Sequence, residues 1–257
     1  MLKNLSMNSQ NKIILITGAT SGIGLSLSKL YLKNGWVVIG LGRNIESLQN
    51  LQKKYLERLI IAKCDLAKKE NIKETFKTIL KKFPNLHSFI FNAGVYKTDD
   101  FDTFTEESIE ETINVNLLSV YRCLLEIRNR LKEPNQSLLA IVSSVAGYRG
   151  LPKSISYGPT KAALINLAES LKIETEKYLV DIKLICPGFV DTPATKINKF
   201  KMPFLISSEK AADIIVKKIT KNGFEISFPF PFSFIMKFAR IIPYWIYFRK
   251  ASKLINK

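Results

Sequence analysis

Residues 12–17, Lys-Ile-Ile-Leu-Ile-Thr, form an apolar, β-branched run that stops at a glycine. Gly18, Gly22 and Gly24 follow, and Leu25-Ser-Leu-Ser-Lys-Leu-Tyr-Leu then runs at helical spacing. Such a run suits a strand buried on both faces of a parallel sheet. Successive parallel strands need a crossover, usually a helix, so this opening commits the chain to β–α alternation. Gly18 permits a tight turn, Gly22 a close backbone approach, and Gly24 close packing of helix on strand. Strand, glycine turn and helix N-terminus together make a phosphate cradle; an ordinary turn is the plainer alternative.

The alternation continues. Residues 36–40, 58–63, 88–91, 137–142 and 181–186 read as further strands, and helical patterns lie near 22–34, 44–55, 68–82, 105–132, 157–179 and 208–221. This predicts an α/β, doubly wound Rossmann fold with a central parallel sheet of about seven strands flanked by helices. At 257 residues one such domain buries a sizeable core. We divide the chain into a flexible N-terminus (1–10), a catalytic domain (11–227) and a C-terminal tail (228–257).

Tyr157 and Lys161 are one helical turn apart, so they share a face, and Ser144 precedes them. Pro159 fits if it lies in the first turn. A free phenol, with a pKa near ~10, is a poor acid or base at neutral pH. A unit charge about 4 Å away, at an effective dielectric of about 20, contributes roughly 4 kcal/mol. That is about three pKa units, enough to bring Tyr157 toward the range where general acid–base catalysis works. Alone, Tyr-x-x-x-Lys also fits a solvated helix face.

In this context the chain resembles the short-chain dehydrogenase/reductase family, in its shorter single-domain branch. Thr17-Gly-Ala-Thr-Ser-Gly-Ile-Gly24 is similar to the family's cofactor motif, and Asn92-Ala-Gly94 to the motif after the fourth strand. Asn116, Ser144, Tyr157 and Lys161 match the catalytic positions, and Pro187-Gly188 with Thr192 the segment that holds the nicotinamide carboxamide. The resemblance spans about residues 11–227. Tyr-Gly-Pro-Thr-Lys departs from the commoner Tyr-x-Ala-Ser-Lys only between the functional residues. It implies that Tyr157 exchanges the proton and Ser144 holds the substrate oxygen. Lys161 lowers the Tyr157 pKa and bonds the nicotinamide ribose, and Asn116 bends a helix and anchors a relay water. It further implies cofactor contacts from Gly18, Thr20, Ser21, Gly22, Ile23, Gly24, Asp65, Leu66, Asn92, Ala93, Gly94, Pro187, Gly188, Val190 and Thr192. Asp65 and Asn92 also fit as plain cap or turn residues.

Cofactor choice has a physical argument. An acid binding the ribose 2′-OH of NAD should end the second strand. Here the chain reads Leu-Gly42-Arg43-Asn44, with no acid, and the Arg43 guanidinium suits a 2′-phosphate. This favours NADPH/NADP over NADH; Arg43 stacked on adenine or facing solvent is the alternative. Cys64, Cys123 and Cys186 have no pair spacing and read as reduced core thiols. His87, the sole histidine, has no ligand cluster around it, so no metal is expected. The formal charge of +17 is largely Lys spread over helices, and no motif points to nucleic acid.

Residues 221–257 carry seven Lys or Arg, one Glu and ten of the 27 aromatics. Phe228, Phe230, Phe232 and Phe234 alternate with Pro229, Pro231 and Ser233 and, if extended, project to one side. The prolines bar a central sheet position. From Phe234 onward the spacing is helical, with Pro243 expected to kink it. Phe234, Phe238, Ile241, Ile242, Trp245 and Phe248 share one face; Lys237, Arg240, Tyr244 and Tyr247 share the opposite one. The tail resembles that of a bacterial subgroup of the family, with mostly unassigned substrates. It suits an interfacial membrane anchor, or a cap packed on its own domain or a neighbouring subunit. No transmembrane span or signal peptide is read, so the expected location is cytoplasmic, with contact at the membrane's cytoplasmic face.

The variable loop 189–206 carries Phe189, Ile197, Phe200, Met202, Phe204 and Leu205, an apolar pocket wall that favours a lipophilic ketone or secondary alcohol, as in lipid metabolism. Lys196, Lys199 and Lys201 suit an anionic head group or plain solvent. The sequence therefore supports an NADP(H)-dependent carbonyl reductase or alcohol dehydrogenase acting on a small molecule, as a homo-oligomer. A non-catalytic NADP-binding sensor or membrane scaffold is the alternative, and a nucleotide-sugar epimerase or dehydratase a weaker one.

Overall fold

The sheet is built outward from its first strand. β1 (Ile13–Thr17) leads through α1 (Gly22–Lys33) to β2 (Val37–Gly42), and α2 (Glu46–Tyr55) leads on to β3 (Leu59–Lys63). The path then reverses: α3 (Lys69–Lys82) carries it to β4 (Ser88–Phe91), on the other side of β1. α4 (Glu106–Ile113) and α5 (Ser119–Leu131) precede β5 (Ser137–Val142), and α6 (Tyr157–Glu174) precedes β6 (Val180–Pro187). A two-stranded sheet of β7 (Val190–Asp191) and β8 (Ile206–Ser207) closes the base of a loop before α7 (Ser208–Ile219). β9 (Glu225–Phe228) is followed by α8 (Phe232–Ala239) and α9 (Tyr244–Ala251). The computed structural model describes residues 12–198 and 200–254. Segment 1–10, expected to be flexible, and Lys199 lie outside the described residues.

The seven-stranded sheet runs β3-β2-β1-β4-β5-β6-β9 with parallel pairing throughout, the doubly wound Rossmann arrangement. Its two faces are separate cores. Ile14 and Ile16 of β1 pack with Leu27, Leu32 and Ile215 under α1 and α7. Leu15 points the other way, among Phe76, Ile127 and Leu164 of α3, α5 and α6. Burial on both faces explains the unbroken apolar runs. The order reverses between β1 and β4, which opens a crevice at the carboxyl ends of the strands.

Three departures from the sequence reading matter for the site. The segment expected as one helix over 105–132 contains a π turn at Asn114–Leu118, which bends it between α4 and α5. Helix α6 ends at Glu174 instead of 179, because the Thr175 N–H and hydroxyl both bond Leu171 O and the chain turns at Tyr178. The seventh strand, β9, was hidden beside the Phe-Pro repeat. It lies at the sheet edge, where the following prolines are tolerated, and it takes in Phe228. Lys183, fully buried in β6, anchors its approach by donating to the carbonyls of Lys221 and Gly223, each at 2.7 Å.

The tail is not the extended row of rings expected from Phe228 to Phe234. Phe228 ends β9 in the core, Phe230 is 80% exposed, and Phe232 already begins α8. Nor does Pro243 kink one helix. Helix α8 stops at Ala239, and Pro243, with ψ 143°, caps a separate α9. Among the described residues no helix is long and apolar enough to cross a membrane.

Candidate active site

The cradle is shaped by backbone. Gly18 and Gly22 sit at φ +64° and +49°, the left-handed region that favours glycine. A Cβ on Gly24 would lie 2.1 Å from Gly18 O, so α1 can press on the turn only without a side chain there. The turn is braced from β4: Thr17 Oγ1 accepts from the N–H groups of Asn92 (3.0 Å) and Ala93 (3.1 Å). Asn92 Nδ2 donates to the carbonyls of Thr17 and Gly18, at 3.1 and 3.2 Å. Its amide nitrogen therefore holds the cradle in shape. Helix α1 has no acid in its first turn and no side-chain cap from Ser21 among the described residues, so its N–H groups face the crevice open.

A cavity of about 370 Å³ runs along the carboxyl ends of the strands. Every cofactor contact implied by the resemblance lines it except Gly24, whose part is packing, and so does Arg43 at the end of β2. Ser144, Tyr157 and Lys161 line the same cavity; Asn116 stands behind it. The glycine turn, the open helix end and the exposed guanidinium fit a dinucleotide with phosphates at one end.

The trio converges from two elements. Ser144 lies two residues past β5 and caps the turn at Val145–Gly147, where its Oγ accepts from Ala146 N at 3.1 Å. Tyr157 opens α6, where Pro159 does fall in the first turn. Lys161, 4% exposed, donates from Nζ to Val142 O at 3.1 Å and lies 5.6 Å from the Tyr157 ring centroid. Burial raises the Tyr157 pKa, and the hydrogen bond from Ser144 offsets only part of it. Burial likewise lowers Lys161 to about 8. Burial thus acts on the phenol in the direction opposite to the one expected of the Lys161 charge.

Asn116 occupies the π turn, fully buried. Its Oδ1 accepts from Val95 N at 2.7 Å, and its Nδ2 donates to Val95 O at 3.0 Å and Thr160 Oγ1 at 3.3 Å. It clamps the loop after β4 to the first turn of α6. Gly94 stands between, where a Cβ would meet Asn116 Oδ1 at 3.2 Å and Lys161 Nζ at 3.6 Å. Asp65 spends one oxygen on Ala67 N at 3.1 Å, a turn contact, while still lining the cavity.

Several residues here were missed from sequence. Tyr96 meets the Tyr157 ring edge-on at 4.8 Å, and its hydroxyl donates to Asn198 Oδ1 at 3.0 Å. Its place two residues after Asn92-Ala-Gly94 was the available signal. Asp99 accepts from Ser156 N at 3.1 Å, bracing the start of α6, and Ser143 Oγ donates to Lys161 O at 2.7 Å. Neither has a local signature. The three cysteines are buried free thiols.

The expected apolar residues gather beside the cavity, and Phe189, Phe200, Phe204 and Phe232 are not among the residues that line it. Phe189 stacks on Phe232 at 5.5 Å and meets Phe200 at 5.9 Å, while Phe204 stacks on Phe232 at 6.1 Å. Phe232 belongs to the tail, and it presses on Gly188, where a Cβ would lie 2.8 Å from its ring. Ile197 and Leu205 are largely exposed, and Met202 Sδ accepts from Asn198 at 3.2 Å.

Comparison with known proteins places this geometry. The short chain dehydrogenase family profile matches residues 12–201. An uncharacterized oxidoreductase of Myxococcus xanthus is 28% identical over 93% of this chain and 96% of its own length. A 3beta-hydroxysteroid dehydrogenase of Mediterraneibacter gnavus is 31% identical over 72% of this chain and 68% of its own length. Among solved structures, ElxO with NADP bound has a TM-score of 0.75 at 24% identity, over 84% of this chain and 97% of that one.

Proposed function

The chain belongs to the short-chain dehydrogenase family of oxidoreductases, and on that premise we propose that it interconverts a ketone or aldehyde and an alcohol with NADP(H), on a lipophilic substrate. One observation carries the reading: Ser144, Tyr157 and Lys161 line the same cavity as the glycine cradle.

The cradle and the first turn of α1 would hold the pyrophosphate on backbone N–H groups. Arg43 would take the 2′-phosphate, and the neighbour solved with NADP supports that choice. Pro187, Gly188, Val190 and Thr192 would hold the carboxamide end, and Asp65 and Leu66 the adenosine end. When bound, the nicotinamide supplies the hydride in reduction or accepts it in oxidation, and its oxidised ring adds a positive charge near the phenol. In reduction the Ser144 hydroxyl donates to the carbonyl oxygen, which fixes the carbonyl carbon for attack. Tyr157 gives its proton to that oxygen as the alcohol forms, and takes it back in oxidation. Lys161 stabilises the phenolate left behind. Asn116 keeps the β4 loop and α6 in register, so that Tyr157 and the cradle stay aligned.

The aromatic cluster of Phe189, Phe204 and Phe232 behind Gly188 supports an apolar substrate, as does the relative named for a 3beta-hydroxysteroid. The same reading extends to peripheral membrane contact through the tail, at the cytoplasmic face. A sensor without catalysis has no need of an assembled trio. Replacing Tyr157 with Phe removes only the phenolic oxygen. It should lower kcat for ketone reduction by about 10²–10⁴-fold while NADPH affinity stays near wild type. A variant that reduces ketones at the wild-type rate would sink the assignment.

A further inference from the structure

We propose that the outer face of α8 and α9 docks the protein on an anionic lipid surface. Helix α8 seats Ser233, Met236 and Ala239 against the domain, all buried. Long basic and tyrosine side chains hold the rest of the tail in place. Lys237 Nζ lies 2.7 Å from the Glu225 carboxylate, and the Arg240 guanidinium 5.9 Å from the Tyr148 ring centroid. The Arg149 guanidinium sits 4.3 and 4.7 Å from the ring centroids of Tyr244 and Tyr247, and donates to the carbonyls of Arg240 and Ile242 at 3.1 and 3.3 Å. The apolar face looks outward: Phe234 is 62% exposed, Ile241 74% and Trp245 72%, with Phe238 and Phe248 beside them. None of the residues of α9 is buried. A surface helix whose outer side meets only water carries polar residues there.

The charge around this face selects its occupant. Arg249, Lys250 and Lys253 are exposed beside it, and residues 226–257 hold no Asp or Glu. A second copy pairing through the same patch would set these charges against each other, since a two-fold contact is self-complementary. An anionic headgroup layer is complementary instead, and aromatic rings ringed by Lys and Arg are the composition of helices that lie in that layer. The face is also continuous with the aromatic cluster that backs Gly188 of the cavity. Phe232, between exposed Phe230 and Phe234, is the residue that stacks on Phe189 and Phe204 and presses on Gly188. Docking therefore brings that aromatic cluster to the lipid, so its purpose rests on the lipophilic-substrate reading, although docking itself does not.

Co-sedimentation of the full chain with vesicles tests this. One set is phosphatidylcholine alone; the other holds about a third phosphatidylglycerol. The wild type should sediment with the anionic vesicles at least about tenfold more strongly than with the neutral ones. The double variant Phe234→Ser, Trp245→Ser changes only exposed side chains and should stay in the supernatant, with its melting temperature and NADPH binding unchanged. Wild-type protein that stays soluble with both vesicles would overturn the proposal. So would equal sedimentation of wild type and variant. A vesicle-free oligomer that the double variant dissolves would assign the face to a second copy and overturn it as well. NADPH-dependent reduction of a water-soluble ketone, assayed in the same samples, keeps the two readings apart: its absence counts against the reductase and leaves the docking result standing.

Discussion

The phosphate cradle and the aromatic cluster beside Gly188 are made in different ways. The cradle end is backbone: its shape follows from glycines whose added Cβ would meet Gly18 O at 2.1 Å or Thr192 at 2.8 Å, and from carbonyls held by Asn92. The aromatic end is side chains: Phe189, Phe204 and Phe232 meet from a loop and from the tail behind Gly188, and the tail is held by a few long residues. A backbone-made site tolerates almost no addition, so one chemistry persists there. A side-chain wall is repacked by substitution, so it is where specificity is set. The sharpest way to break this contrast is Gly24→Ala. Its methyl has nowhere to go between Gly18 O and Asn92 Nδ2, 2.6 Å away. We expect NADPH affinity to fall by more than about 100-fold, with destabilisation of about 1–3 kcal/mol. Gly150, whose Cβ would meet nothing within 4 Å, is the control, and Gly150→Ala should bind NADPH normally. Calorimetric titration of both variants decides it; equal affinities would mean the cradle is not fixed by its backbone.

Arg43→Ala probes the one side chain on which the cradle end depends for cofactor choice. A charge-assisted hydrogen bond is worth about 1.5–3 kcal/mol. The KM for NADPH should therefore rise about 10–100-fold, with that for NADH changed little. Steady-state kinetics with both cofactors give the answer, and equal effects on both would remove Arg43 from the 2′-phosphate.

The same contrast explains what could be read in the sequence. Residues 88–91 and 137–142 were identified as strands to the residue, because strands buried on both faces announce themselves as apolar runs. The glycine spacing and the Ser144, Tyr157, Lys161 register were legible because they are local. What stayed hidden depends on distant partners. Glu225 makes sense in β9 only beside Lys237 and Tyr148, and buried Lys183 only beneath the carbonyls of Lys221 and Gly223. Asp99 is read only once Ser156 is beside it. The burial of Tyr157 was hidden for a related reason: spacing reports a neighbouring charge but not desolvation.

The smallest effect is expected where the tail meets the catalytic loop. Arg149 lies five residues after Ser144, and it is the clasp between that loop and the carbonyls that end α8. Tyr247 OH, bonded to Gly150 O, reinforces the clasp one residue on. Truncating Arg149 to Ala removes two ring contacts worth about 0.5–1 kcal/mol each and the paired hydrogen bonds. Helix α9 should lift, and the Ser144 loop should lose its outer support. We expect kcat to fall about threefold to tenfold while KM for NADPH stays level, since the cradle is braced from β4 instead. Arg149→Lys should not rescue it, because an ammonium cannot fork onto two carbonyls while lying flat between two rings. A parallel rise in KM for NADPH would show that the two ends are one mechanical unit; an unchanged kcat would show that the tail holds the wall alone, without reaching the catalytic serine.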